Sequence, residues 1–140
     1  MGKQKKAQQK AEKKRKTQEE AEKKIEVHKM EFQHIIKRAL EIRKKYSDLE
    51  KKKYGKEWDN EQVMKGFEKD IKDLKRLVTA EEKKKARVRD VMEVDSNLSH
   101  ELADCLWSIL ILADRYGINM EKSFFGAMEE IEKKIDRKSK

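Results

Sequence analysis

The sequence predicts an all-α fold, a bundle of four helices, and three observations favour it. The 140 residues contain no proline and only five glycines, so few positions interrupt a helix. Charged residues make up 46% of the chain, which suits long solvated helices and suits β-sheets poorly. After residue 28, apolar residues recur near the 3.6-residue period of a helix. A chain of this length is expected to form one domain with a sizeable core.

Residues 1–28 are predicted to be a basic extension, flexible or helical, that precedes this domain. They hold ten Lys/Arg against five Glu, which accounts for more than half of the net charge of +9. Before Ile25 their apolar side chains, Met1 apart, are all alanine, so the segment has no face to bury. The basic cluster KKRK at 13–16 leaves two interpretations, a solvated extension or an arm that contacts nucleic acid.

The helical domain is expected to span residues 29–140 and to begin with a helix from about Lys29 to Tyr54. Gly55 is a natural stop, because glycine adopts the left-handed conformation that ends many helices. The apolar residues of this helix recur on one face. They are Met30, Phe32, Ile35, Ile36, Ala39, Leu40, Ile42, Tyr46 and Leu49.

A second helix is predicted to run to about Glu82, with Asp59 or Asn60 as its N-cap, because short polar side chains accept the free N–H groups of a first turn. Residues 83–98 mix charges without a clean period and are expected to form a loop. The apolar stripe of this helix comprises Val63, Met64, Phe67, Ile71, Leu74 and Val78.

A third helix is predicted from near Ser99 to Tyr116, closed by Gly117. It is apolar almost all round, which is typical of a helix buried at the centre of a bundle. Trp107 is therefore expected to be a core or interface residue rather than a base-stacking one. Asn119 is expected to cap a fourth helix. The apolar stripe of that helix comprises Phe124, Met128, Ile131 and Ile135.

The cellular setting is predicted from one cysteine and from the hydropathy of the chain. Cys105 stands alone, so no internal disulfide forms, and a reducing compartment fits. The N-terminus is basic and lacks the apolar core of a signal peptide. The most apolar stretch, 102–113, contains Asp104 and is too short to span a membrane. These features predict a soluble cytoplasmic protein without membrane contact.

Two acidic pairs with the same spacing are the candidate chemistry. Asp70 and Asp73 on the second helix are three residues apart and therefore share one surface. Glu101 and Asp104 repeat that spacing in the most apolar helix, where an unpaired carboxylate is costly to bury. A shared Mg²⁺ ion would relieve the repulsion of four converging carboxylates, since Mg²⁺ prefers hard oxygen ligands. For Asp70 and Asp73, ordinary surface ion pairs with neighbouring lysines are the alternative.

The segment HELADCLWSILILADRYGINMEKSF at 100–124 resembles the signature helix of MazG-like nucleotide pyrophosphohydrolases, of the all-α NTP pyrophosphatase superfamily. Members pair an acidic motif on one helix with a Glu-x-x-Asp motif on another. Here ELAD at 101–104 matches the second motif, and DIKD at 70–73 resembles the Asp-x-x-Asp variant of a small subgroup. ALEIRKKYSDLEKKKYGKEW at 39–58 resembles the first helix of that subgroup. The resemblance covers about residues 29–135.

The resemblance implies Mg²⁺-dependent hydrolysis of a nucleoside triphosphate to the monophosphate and pyrophosphate, with Mn²⁺ as an alternative ion. It also implies a homodimer or homotetramer. The motifs specify neither the base nor the sugar, nor which carboxylate is the general base. The implied catalytic metal ligands are Asp70, Asp73, Glu101 and Asp104, and candidate phosphate contacts are Lys72, Lys75 and Arg76.

Two lysines depart from the family pattern and leave alternatives open. Lys69 and Lys72 stand where the resemblance leads us to expect small residues, often glycine. They either bind substrate phosphate as point charges or neutralise the aspartates. The second case predicts a catalytically inactive MazG-like module that binds nucleotide or a partner. A basic helical nucleic-acid-binding protein is a further alternative, but it does not account for acids inside the third helix.

Overall fold

A computed structural model describes residues 2–87 and 96–139, the side chains at 25–30 and 86–87 excepted. Those residues form helices and short connections, with no strand in either described range. The predicted all-α class is therefore confirmed. The helices are α1 (Gly2–Tyr54), α2 (Asn60–Arg87), α3 (Ser96–Arg115) and α4 (Met120–Lys138).

Helix α1 begins at Gly2, far upstream of the predicted start near residue 29. The extension is thus helical over its described residues, one of the two forms expected for it, because Ala, Glu, Lys and Gln all favour helix. The chain divides into two compact units, Met1–Lys37 and Arg38–Lys140. Every described side chain in residues 2–24 is exposed.

Removing residues 1–24 is expected to leave the melting temperature of the remaining chain unchanged. The reason is that the side chains of residues 2–24 are exposed and contain no apolar residue larger than alanine, so their removal loses no apolar burial. Circular dichroism checks both parts of this expectation. The helical signal should fall in proportion to the residues removed, while a fall in melting temperature of more than about 4 °C, roughly 1 kcal/mol, would contradict it.

The connection from α1 to α2 uses the local signals that the sequence predicts. Gly55 has a φ of 81° and donates its N–H to the Lys51 carbonyl at 2.9 Å, which ends α1. Asp59 Oδ1 accepts the Gln62 N–H at 2.8 Å, and Gln62 Oε1 accepts the Asp59 N–H at 2.9 Å. This reciprocal pair is a capping box, so the N-cap of α2 is Asp59.

The same connection is held by two arginines that the sequence did not single out. Arg43 Nη2 donates to both carboxylate oxygens of Glu50, at 2.9 Å to Oε2, and both side chains are about nine-tenths buried. The Trp58 N–H donates to Glu50 Oε1 at 2.9 Å. Arg115, at the end of α3, donates to the Trp58 carbonyl at 2.6 Å and to Asn60 Oδ1 at 3.1 Å. These bonds tie the ends of three helices to one short segment.

The core lies where α2 packs against α3. Trp107 joins α1 to this pair: its Nε1–H donates to the Ala39 carbonyl at 2.9 Å, and its ring lies 5.6 Å from the Tyr46 ring, centroid to centroid. The polar atom of Trp107 is therefore hydrogen-bonded to backbone, as is usual for a tryptophan that packs in a core. The buried apolar residues are Val63, Cys105, Leu110, Ile111 and Ala113.

The predicted loop over 83–98 is too long at both ends. Residues 83–87 belong to α2 and 96–98 belong to α3, while 88–95 lie outside the described residues. Loss of apolar periodicity did not end α2, because TAEEKKKAR at 79–87 contains strong helix formers and neither glycine nor proline. Ion pairs at i,i+3 spacing, such as Lys84 with Glu81 at 3.3 Å, add support.

Helix α3 ends in a Schellman motif, in which Gly117 has a φ of 65° and the Ile118 N–H donates to the Ala113 carbonyl at 2.8 Å. Asn119 then caps α4 as predicted, its Oδ1 accepting the Lys122 N–H at 3.1 Å.

The outer surface is more apolar than the prediction of a centrally buried third helix implies. On α3, Leu102 and Leu106 are half exposed. Helix α4 has no buried residue, so its apolar stripe is uncovered in the single chain. The Leu102 and Leu106 side chains are exposed because α3 packs mainly against α2 and contacts only part of α1, which leaves one face of α3 uncovered. Across the described ranges, no helix is long and apolar enough to span a membrane.

Candidate metal centre

Three carboxylates from two helices converge beside the core. Asp70 on α2 and Glu101 and Asp104 on α3 each offer one carboxylate oxygen, and these oxygens lie within 4.8 Å of one another. All three residues are half-buried. The structure therefore brings together three of the four predicted ligands, drawn from both acidic motifs.

The spacing of apolar residues places these acids on facing surfaces. On α2, Phe67, Asp70 and Leu74 are half-buried and follow the i, i+3, i+7 spacing of one helix face. On α3, Glu101 and Asp104 continue along the face that buries Cys105 and Ser108. Because α2 packs against α3, Asp70 on α2 lies close to Glu101 and Asp104 on α3.

Asp73 lies outside the group of oxygens within 4.8 Å. Its carboxylate pairs with Arg76 at 3.5 Å, and about a third of its side chain is exposed. Its negative charge nevertheless contributes to raising the pKa of both Asp70 and Glu101. Asp73 is thus a charged neighbour of the three-carboxylate cluster, hereafter the acid cluster, formed by Asp70, Glu101 and Asp104.

The electrostatics of the acid cluster disfavour three bare carboxylates. Burial raises the pKa of Asp70 most, followed by the charges of Asp104 and Asp73, while Lys69 and His100 act in the opposite direction. Burial and the charges of Asp70 and Asp104 likewise raise the pKa of Glu101. A carboxyl with a raised pKa gains from binding a proton or a cation.

One buried oxygen gives a second reason to expect a ligand. Glu101 Oε2 is buried and has no hydrogen-bond partner among the described residues. Buried polar atoms are almost always satisfied, so an oxygen of this kind calls for a donor or an ion. Carboxylate oxygens are the ligands that Mg²⁺ and Mn²⁺ prefer, and three of them leave coordination positions for water and phosphate. The residues present fit a divalent cation.

His100 is the one basic side chain in contact with the acid cluster among the described residues. Its Nε2 lies 3.3 Å from Asp104 Oδ2, one helical turn away. The histidine side chain is largely exposed. It is also the single basic neighbour that the sequence of α3 offers to the acids at 101 and 104.

The predicted phosphate contacts lie on the exposed surface of α2. Lys72 and Lys75 are exposed, and Arg76 pairs with Asp73. Lys72 is two residues beyond Asp70, about 160° away around the helix. The charge of Lys69 lowers the pKa of Asp70. Lys69, which the sequence raised only as a departure, is therefore the lysine closest in effect to the acid cluster.

Cys105 lies beside the acid cluster as a buried, free thiol. Burial raises its pKa first, and the charges of Asp70 and Glu101 raise it further. A thiol in this setting stays protonated, because a thiolate would add another negative charge to an already acidic region.

Comparisons with known proteins identify no relative of this chain. No family model matches it, and neither does any curated protein or solved structure. The resemblance to MazG-like enzymes therefore rests on the acidic motifs and their flanking residues.

Proposed function

We propose that this chain is a Mg²⁺-dependent nucleotide pyrophosphohydrolase, built on a MazG-type four-helix bundle, that cleaves a nucleoside triphosphate to the monophosphate and pyrophosphate. The observation that carries the proposal is the meeting of DIKD and ELAD: one acid from 70–73 and two from 101–104 place oxygens within 4.8 Å. The unsatisfied Glu101 Oε2 supports it, because it is an unused ligand atom at the same point. Mn²⁺ has the same ligand preference and is the natural substitute ion.

Each acid has a role in the proposed reaction. Asp70, Glu101 and Asp104 hold the ion, which when bound offsets phosphate charge and lowers the pKa of water. Asp73, close to the acid cluster but outside the ligand group, accepts the proton of the attacking water. The water oxygen then bonds to phosphorus, the bridging P–O bond between the α and β phosphates breaks, and pyrophosphate leaves. Lys72, Lys75 and Arg76 stay proposed phosphate contacts.

The proposal includes a homodimer or homotetramer. The apolar stripe of α4, with Phe125 and Ile135 more than half exposed, and the open face of α3 are the surfaces that a second copy would cover. The cytoplasm is the proposed location, since Cys105 is unpaired and buried.

Product identity tests the function. The full chain is incubated with each ribo- and deoxyribonucleoside triphosphate and Mg²⁺, and the products are resolved by ³¹P NMR. Monophosphate and pyrophosphate are expected, and EDTA should stop their formation. Diphosphate with inorganic phosphate would contradict cleavage between the α and β phosphates.

A catalytically inactive nucleotide-binding module is the second candidate, favoured by the charge of Lys69 acting on Asp70. This candidate predicts Mg²⁺-dependent nucleotide binding without any product. Turnover by the unmodified chain excludes it.

Lys69→Ala is expected to tighten Mg²⁺ binding about twofold to fivefold in the absence of nucleotide. The variant removes a positive charge near Asp70, and a partly exposed charge pair contributes roughly 0.5–1 kcal/mol. Lys72→Ala on the same helix is the matched control and should leave the affinity unchanged. Isothermal titration with MgCl₂ measures both. Equal effects in the two variants would show that Lys69 has no special relation to the acid cluster.

A further inference from the structure

The N-terminal part of α1 gathers lysines on one face. Residues 2–16 hold eight Lys/Arg against one Glu, and residues 2–24 are helical with exposed side chains. At 3.6 residues per turn, five lysines of residues 2–16 fall within a sector about 100° wide, and every Glu of residues 2–24 falls outside that sector. These five, hereafter the lysine stripe, are Lys3, Lys6, Lys10, Lys13 and Lys14.

The charges of the lysine stripe are not neutralised by ion pairs among the described residues. None of the five has an ion-pair partner within the described residues of α1, whereas Arg15 pairs with Glu19 at 3.8 Å on another face. Lys3 to Lys14 extends about 16 Å along the helix axis, at 1.5 Å per residue. The stripe is therefore a straight row of free positive charges, which suits a stiff polyanion.

We propose that the lysine stripe binds the phosphate backbone of duplex DNA without regard to base sequence. Duplex DNA carries one negative charge per about 1.7 Å of its axis, so 16 Å of duplex offers roughly nine phosphates to five lysines. An α-helix about 10–12 Å in diameter also fits a major groove about 12 Å wide. The interaction is separate from the proposed hydrolysis, whose residues all lie in α2 and α3.

Composition argues against the other polyanions. The only apolar side chains in residues 2–24 are alanines, which lack the bulk that anchors an interfacial helix in a lipid surface. No aromatic residue occurs there to stack on the bases of a single strand. The major groove of an RNA duplex is deep and narrow and does not admit a helix. Duplex DNA is the polyanion that this helix fits best.

The test compares two variants of the full chain that lose the same number of charges from the same helix. The stripe variant carries Lys3→Gln, Lys6→Gln, Lys10→Gln and Lys13→Gln. The control variant changes residues on the other faces, namely Lys5→Gln, Arg15→Gln, Lys16→Gln and Lys23→Gln. Glutamine keeps helix propensity close to that of lysine, and circular dichroism verifies equal helicity.

Fluorescence anisotropy with a 20-base-pair duplex, measured over a range of salt concentrations, gives the affinity and its salt dependence. The stripe variant is expected to bind at least tenfold more weakly than the unmodified chain at low salt. The slope of log K against log[salt] should shrink by about three to four, since each lost phosphate contact removes about 0.9. The control variant should lose less than half as much of that slope.

Three results would overturn the proposal. One is the absence of duplex binding by the unmodified chain at low salt. Another is an equal loss in both variants, which would mean that net charge and not the lysine stripe determines binding. The third is tighter binding to an RNA duplex of the same length, or to vesicles rich in phosphatidylserine, than to the DNA duplex.

Discussion

Glu101→Gln is expected to abolish pyrophosphate release, with a loss of at least about a hundredfold, while the chain keeps its fold. Changes to groups that only support a metal ligand already cost about 10–100-fold, and Glu101 is a proposed ligand itself. The substitution preserves the shape of the side chain but removes its negative charge from the acid cluster. The carboxylate that is lost includes Oε2, which is buried and has no hydrogen-bond partner among the described residues. A coupled pyrophosphate assay measures the loss.

The same variant has a second expected outcome in the absence of metal, a higher melting temperature near neutral pH. Burial and neighbouring acids raise the pKa of Glu101 in the folded chain. The folded state therefore binds the proton more readily than the unfolded state, so stability falls as pH rises from the ordinary glutamate value through the raised one. Glu101→Gln removes that fall.

Glu129→Gln on α4 is the matched control, because Glu129 is exposed and pairs with the equally exposed Lys133 at 3.3 Å. It should change neither turnover nor the pH profile of stability. Unchanged pyrophosphate release in the Glu101 variant would remove Glu101 from the proposed site.

Glu50→Gln is expected to destabilise the folded chain by about 3 kcal/mol or more, because it removes the buried carboxylate that forms an ion pair with the buried Arg43 guanidinium. Arg43 Nε already has no hydrogen-bond partner among the described residues, so the guanidinium depends on Glu50 for its carboxylate bonds. The Trp58 N–H also loses a charged acceptor. For a domain of about 100 residues this corresponds to a melting temperature lower by roughly 12 °C or more.

Glu41→Gln on the same helix is the control for the buried pair. Glu41 pairs with Arg38 at 3.3 Å, but both side chains are about half exposed or more. An exposed pair contributes about 1 kcal/mol at most, so the melting temperature should fall by only a few degrees. Equal falls for the two variants would show that burial of the Arg43–Glu50 pair adds nothing.

The features that the sequence predicted well are those set by neighbouring residues. The stop at Gly55, the cap at Asn119 and the all-α class follow from local backbone preferences. The orientation of Asp70 toward α3 could also be predicted, because helical periodicity places Asp70 at the edge of the apolar stripe of α2. Glu101 and Asp104 share a surface for the same reason.

The features that it missed depend on which segments meet in space. In the sequence, Arg43 and Glu50 are indistinguishable from the other charged residues of α1. Their burial depends on Trp58, whose N–H donates to Glu50 and whose carbonyl accepts from Arg115. The exposed stripe of α4 has the periodicity of a buried one, because periodicity shows that a face is apolar and not what covers it. The lysine stripe required knowing that α1 begins at Gly2, since a basic composition gives no face until the backbone is helical.

Mn²⁺ binding, followed by the EPR signal of the free ion, tests the central claim most directly: that the acid cluster holds one divalent cation. The unmodified chain, Asp104→Asn and Asp114→Asn are compared, because Asp114 is an exposed acid on the same helix as Asp104. We predict one Mn²⁺ site per chain, from which Mg²⁺ displaces Mn²⁺. Asp104→Asn should weaken the Mn²⁺ affinity at least tenfold, because a ligand is lost, and Asp114→Asn should leave it unchanged. Equal Mn²⁺ affinity in all three proteins would contradict the claim.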